Sequence, residues 1–343
     1  MRAVKLYARG DFRLVEMERP VAGPGEVLIQ VKEVGICASD VHWYENGHIG
    51  DAVMTEPLIL GHEFAGVIAE VGPGVTNVKA GDRVAVEPGI PCYRCDICAE
   101  GGYNICPNVR FCGTPPTDGA FREFLSWPAR LVEPIPDSMS IGEAAMLEPL
   151  AIGVYAIDIA GDVRGKTIGV LGVGAIGLSI LQAARAAGCG ETFVTDPIPE
   201  RLELARRLGA ARTLDARDPK VVDAVGQATG GRGLEIVFEA AGENEAVFQA
   251  TEMVRPGGLV ILGGIPSDDR IVLGAGAVRR KGLTIRLLRR SKDTLRRAIR
   301  LVQEGRADVA SYITHRFPLE QLDEAFQLAR DRKDGALRVL VYM

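Results

Sequence analysis

Residues 167–177 run from a β-branched, aliphatic stretch into Gly172-x-Gly174-x-x-Gly177 and on into a helical pattern that begins near Ala175. A strand that ends in such a turn and re-emerges as a helix commits this part of the chain to a βαβ unit. The three glycines differ in what they permit. One makes the tight turn, one lets backbone approach a pyrophosphate, and one lets the helix pack on the strand. The helix N-terminus then offers N–H groups to the phosphates. Glycine is common here, 41 of 343 residues, so the motif alone would also suit a plain strand-to-helix turn. Its context argues for more. The next strand ends in Asp196, 19 residues after Gly177, where a carboxylate can accept hydrogen bonds from the adenosine ribose. A 2′-phosphate would meet repulsion there, which favours NAD over NADP. Arg201 either packs on the adenine or is an ordinary solvated helix residue.

Strand patterns at 167–171, 192–195, 235–238 and 259–262 alternate with helical ones such as 201–208, which implies a parallel, doubly wound (Rossmann) α/β sheet. The preceding residues differ. Short β-branched runs at 27–31, 65–71 and 83–86, set off by glycine and proline, predict an all-β barrel or sandwich. Beyond residue 288 come a helix, 293–304, a further helix and a closing strand, 338–342, assigned to the first domain. The expected domains are therefore 1–148 completed by 289–343, and 149–288, a division that suits the chain's length. Their border, near 147–155, should be a continuous helix or a tight crossing.

Hydrophobic residues at 47% and charged residues at 25% describe a soluble globular composition, and a net charge of −5 gives no general attraction to nucleic acid or anionic membranes. The longest apolar stretch, 168–181, is glycine-rich and shorter than the ~20 residues that span a bilayer. Arg2, Lys5, Arg9 and Asp11 interrupt the N-terminal apolar runs, so a cytoplasmic location is expected.

In a reducing compartment seven cysteines are metal ligands or buried thiols before they are disulfides. Cys92, Cys95, Cys98 and Cys106 form a Cys-x2-Cys-x2-Cys-x7-Cys run, which suits a closed tetrahedral structural zinc. A redox CxxC pair or a nucleic-acid zinc ribbon would share the spacing, but few basic residues flank the run. Cys112 and Cys189 read as buried small residues. Cys37 and the pair His62-Glu63 are individually unremarkable; together, ahead of a dinucleotide unit, they form a mixed set that suits a second, reactive zinc with an open position.

These residues carry a resemblance. Cys37-Ala38-Ser39-Asp40-Val41-His42, Gly61-His62-Glu63-Phe64-Ala65-Gly66, Glu87-Pro88-Gly89, the cysteine lobe at 87–112, Glu148-Pro149-Leu150, Gly172 to Gly177 and Thr314-His315-Arg316-Phe317-Pro318-Leu319 make the chain resemble the zinc-dependent medium-chain dehydrogenases, in the sorbitol/xylitol (polyol) branch, over essentially its whole length. The resemblance implies a GroES-like β-barrel for the first domain and a homotetramer or homodimer. It implies that Cys37, His62 and Glu63 ligate the catalytic zinc, with Glu148 binding the metal or orienting its water. It further implies cofactor contacts at Ile176, Gly263, Ile265, Leu288 and Arg290. Ser39 and His42 supply a hydroxyl and an imidazole for proton release; His42 reads equally well as a partner of the cofactor ribose or of solvent.

Departures from the family concern the substrate pocket. Trp43 stands where polyol dehydrogenases usually have tyrosine, and the usual Arg-Tyr pair is best matched by Arg290-Ser291, with Arg289 adjacent. Between residues 279 and 300, ten of 22 residues are basic and only Asp293 is acidic. That run reads as a solvated or subunit-contact surface, with a phosphorylated substrate as the sharper alternative. The expected activity is NAD-linked oxidation of a polyol to a ketose. The rivals are a threonine- or diol-type dehydrogenase and a non-catalytic zinc and nucleotide-binding regulator.

Overall fold

The computed structural model describes residues 1–266 and 269–343, which divide into two units, Met1–Glu148 with Val309–Met343, and Pro149–Asp308. Two main sheets, of seven and six strands, contain β1 (Glu26–Gly35), β2 (Glu63–Val71), β3 (Arg83–Val86), β4 (Phe124–Pro128), β5 (Val132–Pro134), β6 (Ile168–Leu171), β7 (Thr192–Asp196), β8 (Arg212–Asp215), β9 (Leu234–Glu239), β10 (Val254–Leu262), β11 (Thr284–Leu287), β12 (Ile313–Pro318) and β13 (Arg338–Tyr342).

In the first unit the order is β5-β3-β2-β1-β13-β12, with β4 also on β1. Pairing is antiparallel except between β12 and β13. The β1–β2 ladder shifts register between Val31 and Glu33, where the backbones crowd: a Cβ at Gly66 would lie 2.2 Å from Gln30 O. Only glycine fits there. An aromatic cluster lies in the core, where Tyr44 of helix α1 (Ala38–Asn46) stacks on Phe12 and Phe326 packs edge-on against Phe12 and Phe121.

The second unit is a parallel sheet in the order β8-β7-β6-β9-β10-β11. All four residues of β6 are buried, as expected for a strand covered on both faces. The order reverses between β6 and β9, and such a reversal opens a crevice at the carboxyl ends of the strands. Helix α2 (Leu147–Ala160) contains the boundary between the units, and α3 (Ala175–Ala186) follows the glycine turn.

Two expectations are corrected. Residues 289–308, assigned from pattern to the first domain, belong to the second unit. Helix α4 (Leu295–Gln303) buries Leu295, Ala298 and Ile299; Thr294 Oγ1 donates to Ala151 O at 2.8 Å, and Arg297 pairs with Asp158 at 2.6 Å. An amphipathic helix covers whichever core its neighbours offer, which its own period does not reveal. Strands β8 and β11 add to the expected set; both have four residues and neither contains a fully buried one, although Leu214 and Ile285 pack against the core.

Part of the basic run lies at the surface or at a helix end. Arg296, Arg297 and Arg300 occupy the exposed side of α4, and Lys281 Nζ donates to Thr251 O, Glu252 O and Val254 O at the end of helix Asn244–Met253. Among the described residues no helix is long and apolar enough to cross a membrane.

Tyr44 Oη donates to Asp323 Oδ1 at 2.7 Å, and burial, reinforced by that carboxylate, pushes its pKa up to about 12. A raised phenol pKa means stability that is complete below pH ~10 and lost as pH rises through ~12. Tyr44→Phe should therefore cost about 1 kcal/mol at neutral pH. Melting curves of both proteins from pH 7 to 12 should show that difference shrinking above pH 10; a difference independent of pH would refute the assignment.

Candidate active site

The antiparallel register of β1 and β2 sets Gly35 opposite Glu63, so the chain leaving β1 at Cys37 meets the chain entering β2 at His62. A Cβ at Gly35 would lie 2.7 Å from Glu63 Oε2, and Gly61 has φ 93° with no room for a side chain beside Val34. Cys37 caps the N-terminus of α1. Asp40, fully buried three residues on, accepts the Cys37 N–H at 3.0 Å and the Gly61 N–H at 3.2 Å, and lies 3.4 Å from His62 Nδ1. One carboxylate thus ties both segments and fixes the imidazole, leaving Nε2 as its other nitrogen. The ligand atoms of Cys37, His62 and Glu63 all lie within 4.8 Å of one another.

Arg338, at the start of β13, donates from Nη1 to Ile36 O at 2.7 Å, and its Nη2 stands 2.9 Å from Glu63 Oε1. That contact is an ion pair by distance without hydrogen-bond alignment, for both Glu63 oxygens are buried and make no hydrogen bond. Burial alone would lower the pKa of His62, but Asp40 and Cys37 hold it well above its ordinary value. Glu148 is pushed up to about 8 by burial, with His62 opposing the shift and Glu63 and Glu87 adding to it. Unbonded carboxylate oxygens beside a thiol and an oriented imidazole fit a divalent zinc with three protein ligands and an open position.

In the cysteine lobe, Cys106 Sγ lies 3.6 Å from Cys92 Sγ and 3.9 Å from Cys95 Sγ. A tetrahedron with zinc–sulfur bonds of about 2.3 Å has edges of about 3.8 Å, so the spacing fits. Cys92 is held down to about 6, chiefly by the Arg94 backbone N–H, whereas burial and its thiol neighbours push Cys98 up to about 12. Together the four can ionise only around a cation.

In the second unit Gly172 has φ 85°, and a Cβ there would stand 2.7 Å from Ala241 Cα. At Gly177 a Cβ would strike Gly172 O at 1.9 Å, whereas at Gly174, the N-cap of α3, it would meet only Arg201 Nη1 at 3.9 Å. The turn is therefore packed on two sides and open on the third, as phosphate approach requires. Asp196 is 2% exposed; its Oδ2 accepts from Val173 N–H and its Oδ1 from Ile198 N–H, each at 2.9 Å. Arg201 Nη1 lies 4.0 Å from it.

Residues 23–137 match the alcohol dehydrogenase GroES-like domain, and residues 175–304 match the zinc-binding dehydrogenase domain. Sorbitol dehydrogenase of Bacillus subtilis is 39% identical over 342 residues, covering 100% of this chain and 97% of that protein. D-xylulose reductase of Morganella morganii is 36% identical over 333 residues, covering 96% and 98%. A zinc-binding dehydrogenase of Sinorhizobium meliloti, solved with NADP bound, has a TM-score of 0.91 and 30% identity, covering 100% of this chain and 99% of that one. The chain belongs to the zinc-dependent medium-chain dehydrogenase family.

As a zinc-dependent medium-chain dehydrogenase it is an oxidoreductase of CH–OH groups that uses zinc and a nicotinamide dinucleotide. The residues expected at its metal sites fall into two clusters, Cys37-His62-Glu63 and Cys92-Cys95-Cys98-Cys106. Glu148 is not in the tighter set, though the charges of His62 and Glu63 act on it. Ser39 and His42 are three apart on α1 and share a helix face. Trp43, expected on the substrate wall, is 2% exposed and packs in the first unit's core. Arg290 stands in the second unit with left-handed backbone, φ 54°. Ile176, Gly263 and Leu288 are half-buried, and Ile265 is 43% exposed.

Two residues of these sites lie beyond what the sequence patterns single out: Asp40 and Arg338. Asp40 had a signal, since it sits at the capping-box distance from Cys37. Arg338 had none. Asp40→Asn should keep the fold but weaken metal binding at the Cys37 site about 10–100-fold, leaving the four-cysteine zinc in place. Metal analysis after graded chelation checks it; equal retention of both zincs by the variant would refute the role.

Proposed function

We propose that the chain oxidises a secondary hydroxyl of a polyol, sorbitol- or xylitol-like, to the ketose, reversibly and with NAD as acceptor. The observation that carries this reading is the convergence of Cys37, His62 and Glu63 around a common point. Cys37, His62 and Glu63 would hold a zinc whose Lewis acidity toward the hydroxyl, together with a dinucleotide as hydride acceptor, would supply the chemistry. Asp40 holds the imidazole in one orientation, and Arg338 holds Glu63. Glu148, buried nearby, orients water or substrate oxygen. The Gly172 turn and the α3 N-terminus receive the pyrophosphate. Asp196, fixed by two backbone amides, faces the adenosine ribose with a negative charge that disfavours a 2′-phosphate, although Arg201 partly offsets it.

A neutral polyol is supported by the relatives' names, sorbitol dehydrogenase and D-xylulose reductase, while Arg296, Arg297 and Arg300 lie exposed on α4. A panel of sorbitol, xylitol, a sugar-alcohol phosphate, butane-2,3-diol and threonine, each with NAD and NADP, tests the reading. The neutral polyols with NAD should have the highest kcat/KM, with NADP at least about tenfold poorer, the effect of roughly one misplaced charge. Preference for threonine, a simple diol or the ester would replace the polyol assignment. A protein holding one zinc and inert toward all of them would favour the regulator.

Ser39 and His42 carry the substrate proton toward solvent. His42→Ala should slow turnover by roughly tenfold or more at pH 6–7 and less above pH 9, where hydroxide substitutes for the imidazole. An unchanged pH–rate profile would remove the relay.

A further inference from the structure

The carboxyl ends of the central strands in the second unit are laced side to side. Ala240 N–H donates to Leu171 O and Gly263 N–H to Glu239 O, each at 2.8 Å. The loops beyond are in contact: a Cβ at Gly172 would lie 2.7 Å from Ala241 Cα, one at Gly264 2.1 Å from Gly242 N, and one at Gly242 2.8 Å from Ile265 O. Glu239 connects them. It is 1% exposed; its Oε1 accepts from Ala241 N–H at 2.8 Å and Gly242 N–H at 2.7 Å, and its Oε2 accepts from Gly264 N–H at 3.1 Å. Burying a carboxylate is costly, and here burial raises the pKa against the pull of the same three amides. A side chain kept in that state fixes two loops that contain residues expected to touch the cofactor, Gly263 and Ile265.

We propose that Glu239 is a positioning residue for the dinucleotide. It locks loops 240–242 and 263–265 against the Gly172 turn, so that the cofactor meets a wall already formed. The inference rests on the dinucleotide reading of Gly172 to Gly177. Loops that are ordered before binding impose no ordering cost on the ligand, so loosening them should appear in affinity before it appears in chemistry.

The test uses zinc-loaded wild type, Glu239→Gln and Glu239→Asp, with NADH affinity from fluorescence titration, kcat and KM for NAD, and melting temperature without cofactor. Glutamine keeps the size but sets an NH₂ against one of the N–H groups; aspartate keeps the charge but falls a methylene short. In Glu239→Gln the Kd for NADH and the KM for NAD should rise about tenfold, the equivalent of one charge-assisted hydrogen bond. Its kcat at saturating NAD should stay within about threefold, with aspartate intermediate in affinity. A lower melting temperature with Kd and KM unchanged describes a purely structural residue and overturns the inference. Should Glu239→Gln not fold, Glu239→Asp decides by the same two quantities. Wild type that binds no NADH removes the dinucleotide reading and this inference together; wild-type binding equalled by the variants removes this inference alone.

Discussion

Concentrated buried charge governs the first unit. Asp40, Glu63 and Glu148 are all at most 6% exposed, and Arg338 is buried beside Glu63. Carboxylates removed from water at that density are expensive unless cations answer them. The glycines at 35 and 61, the Gly35–Glu63 register and the capping of α1 all bring these groups together instead of keeping them apart. The barrel accepts that electrostatic strain, and a divalent metal is the group whose charge and ligand preference relieve it.

The second unit solves the same problem differently. Asp196 and Glu239 are as deeply buried, yet their oxygens accept from backbone N–H groups of neighbouring turns. Glu63 keeps both oxygens without a hydrogen bond, whereas Asp40 in the first unit, like Asp196 and Glu239 in the second, uses its oxygens to tie backbone segments. The same side-chain chemistry thus leaves free oxygens at one position and fastens backbone at others, according to what surrounds it.

What is legible in the chain is what is encoded locally. The cysteine run, the glycine turn and its distance to Asp196 are short-range patterns, and the structure places each as a compact feature. Cys37 and His62-Glu63 are recognisable only in combination, because no single one of them differs from a core residue. Arg338 is illegible, since its partner Ile36 is 302 positions away and the arginine lies in an ordinary strand. Asp40 looks like a helix-capping residue, which it is, and its contact with His62 depends on a strand pairing that spacing does not disclose. The 289–308 segment is misassigned from pattern because helical period identifies a buried face but not the core that face joins.

Strand β13 lies between β1 and β12 in the first unit, yet it follows the whole of the second unit along the chain. During synthesis the whole second unit emerges while the first still lacks strands β12 and β13 and the guanidinium beside Glu63. Closing that gap joins segments about three hundred residues apart, a slow kind of contact to form. Completion of the surroundings of Glu63 is thereby deferred until the second unit has already emerged.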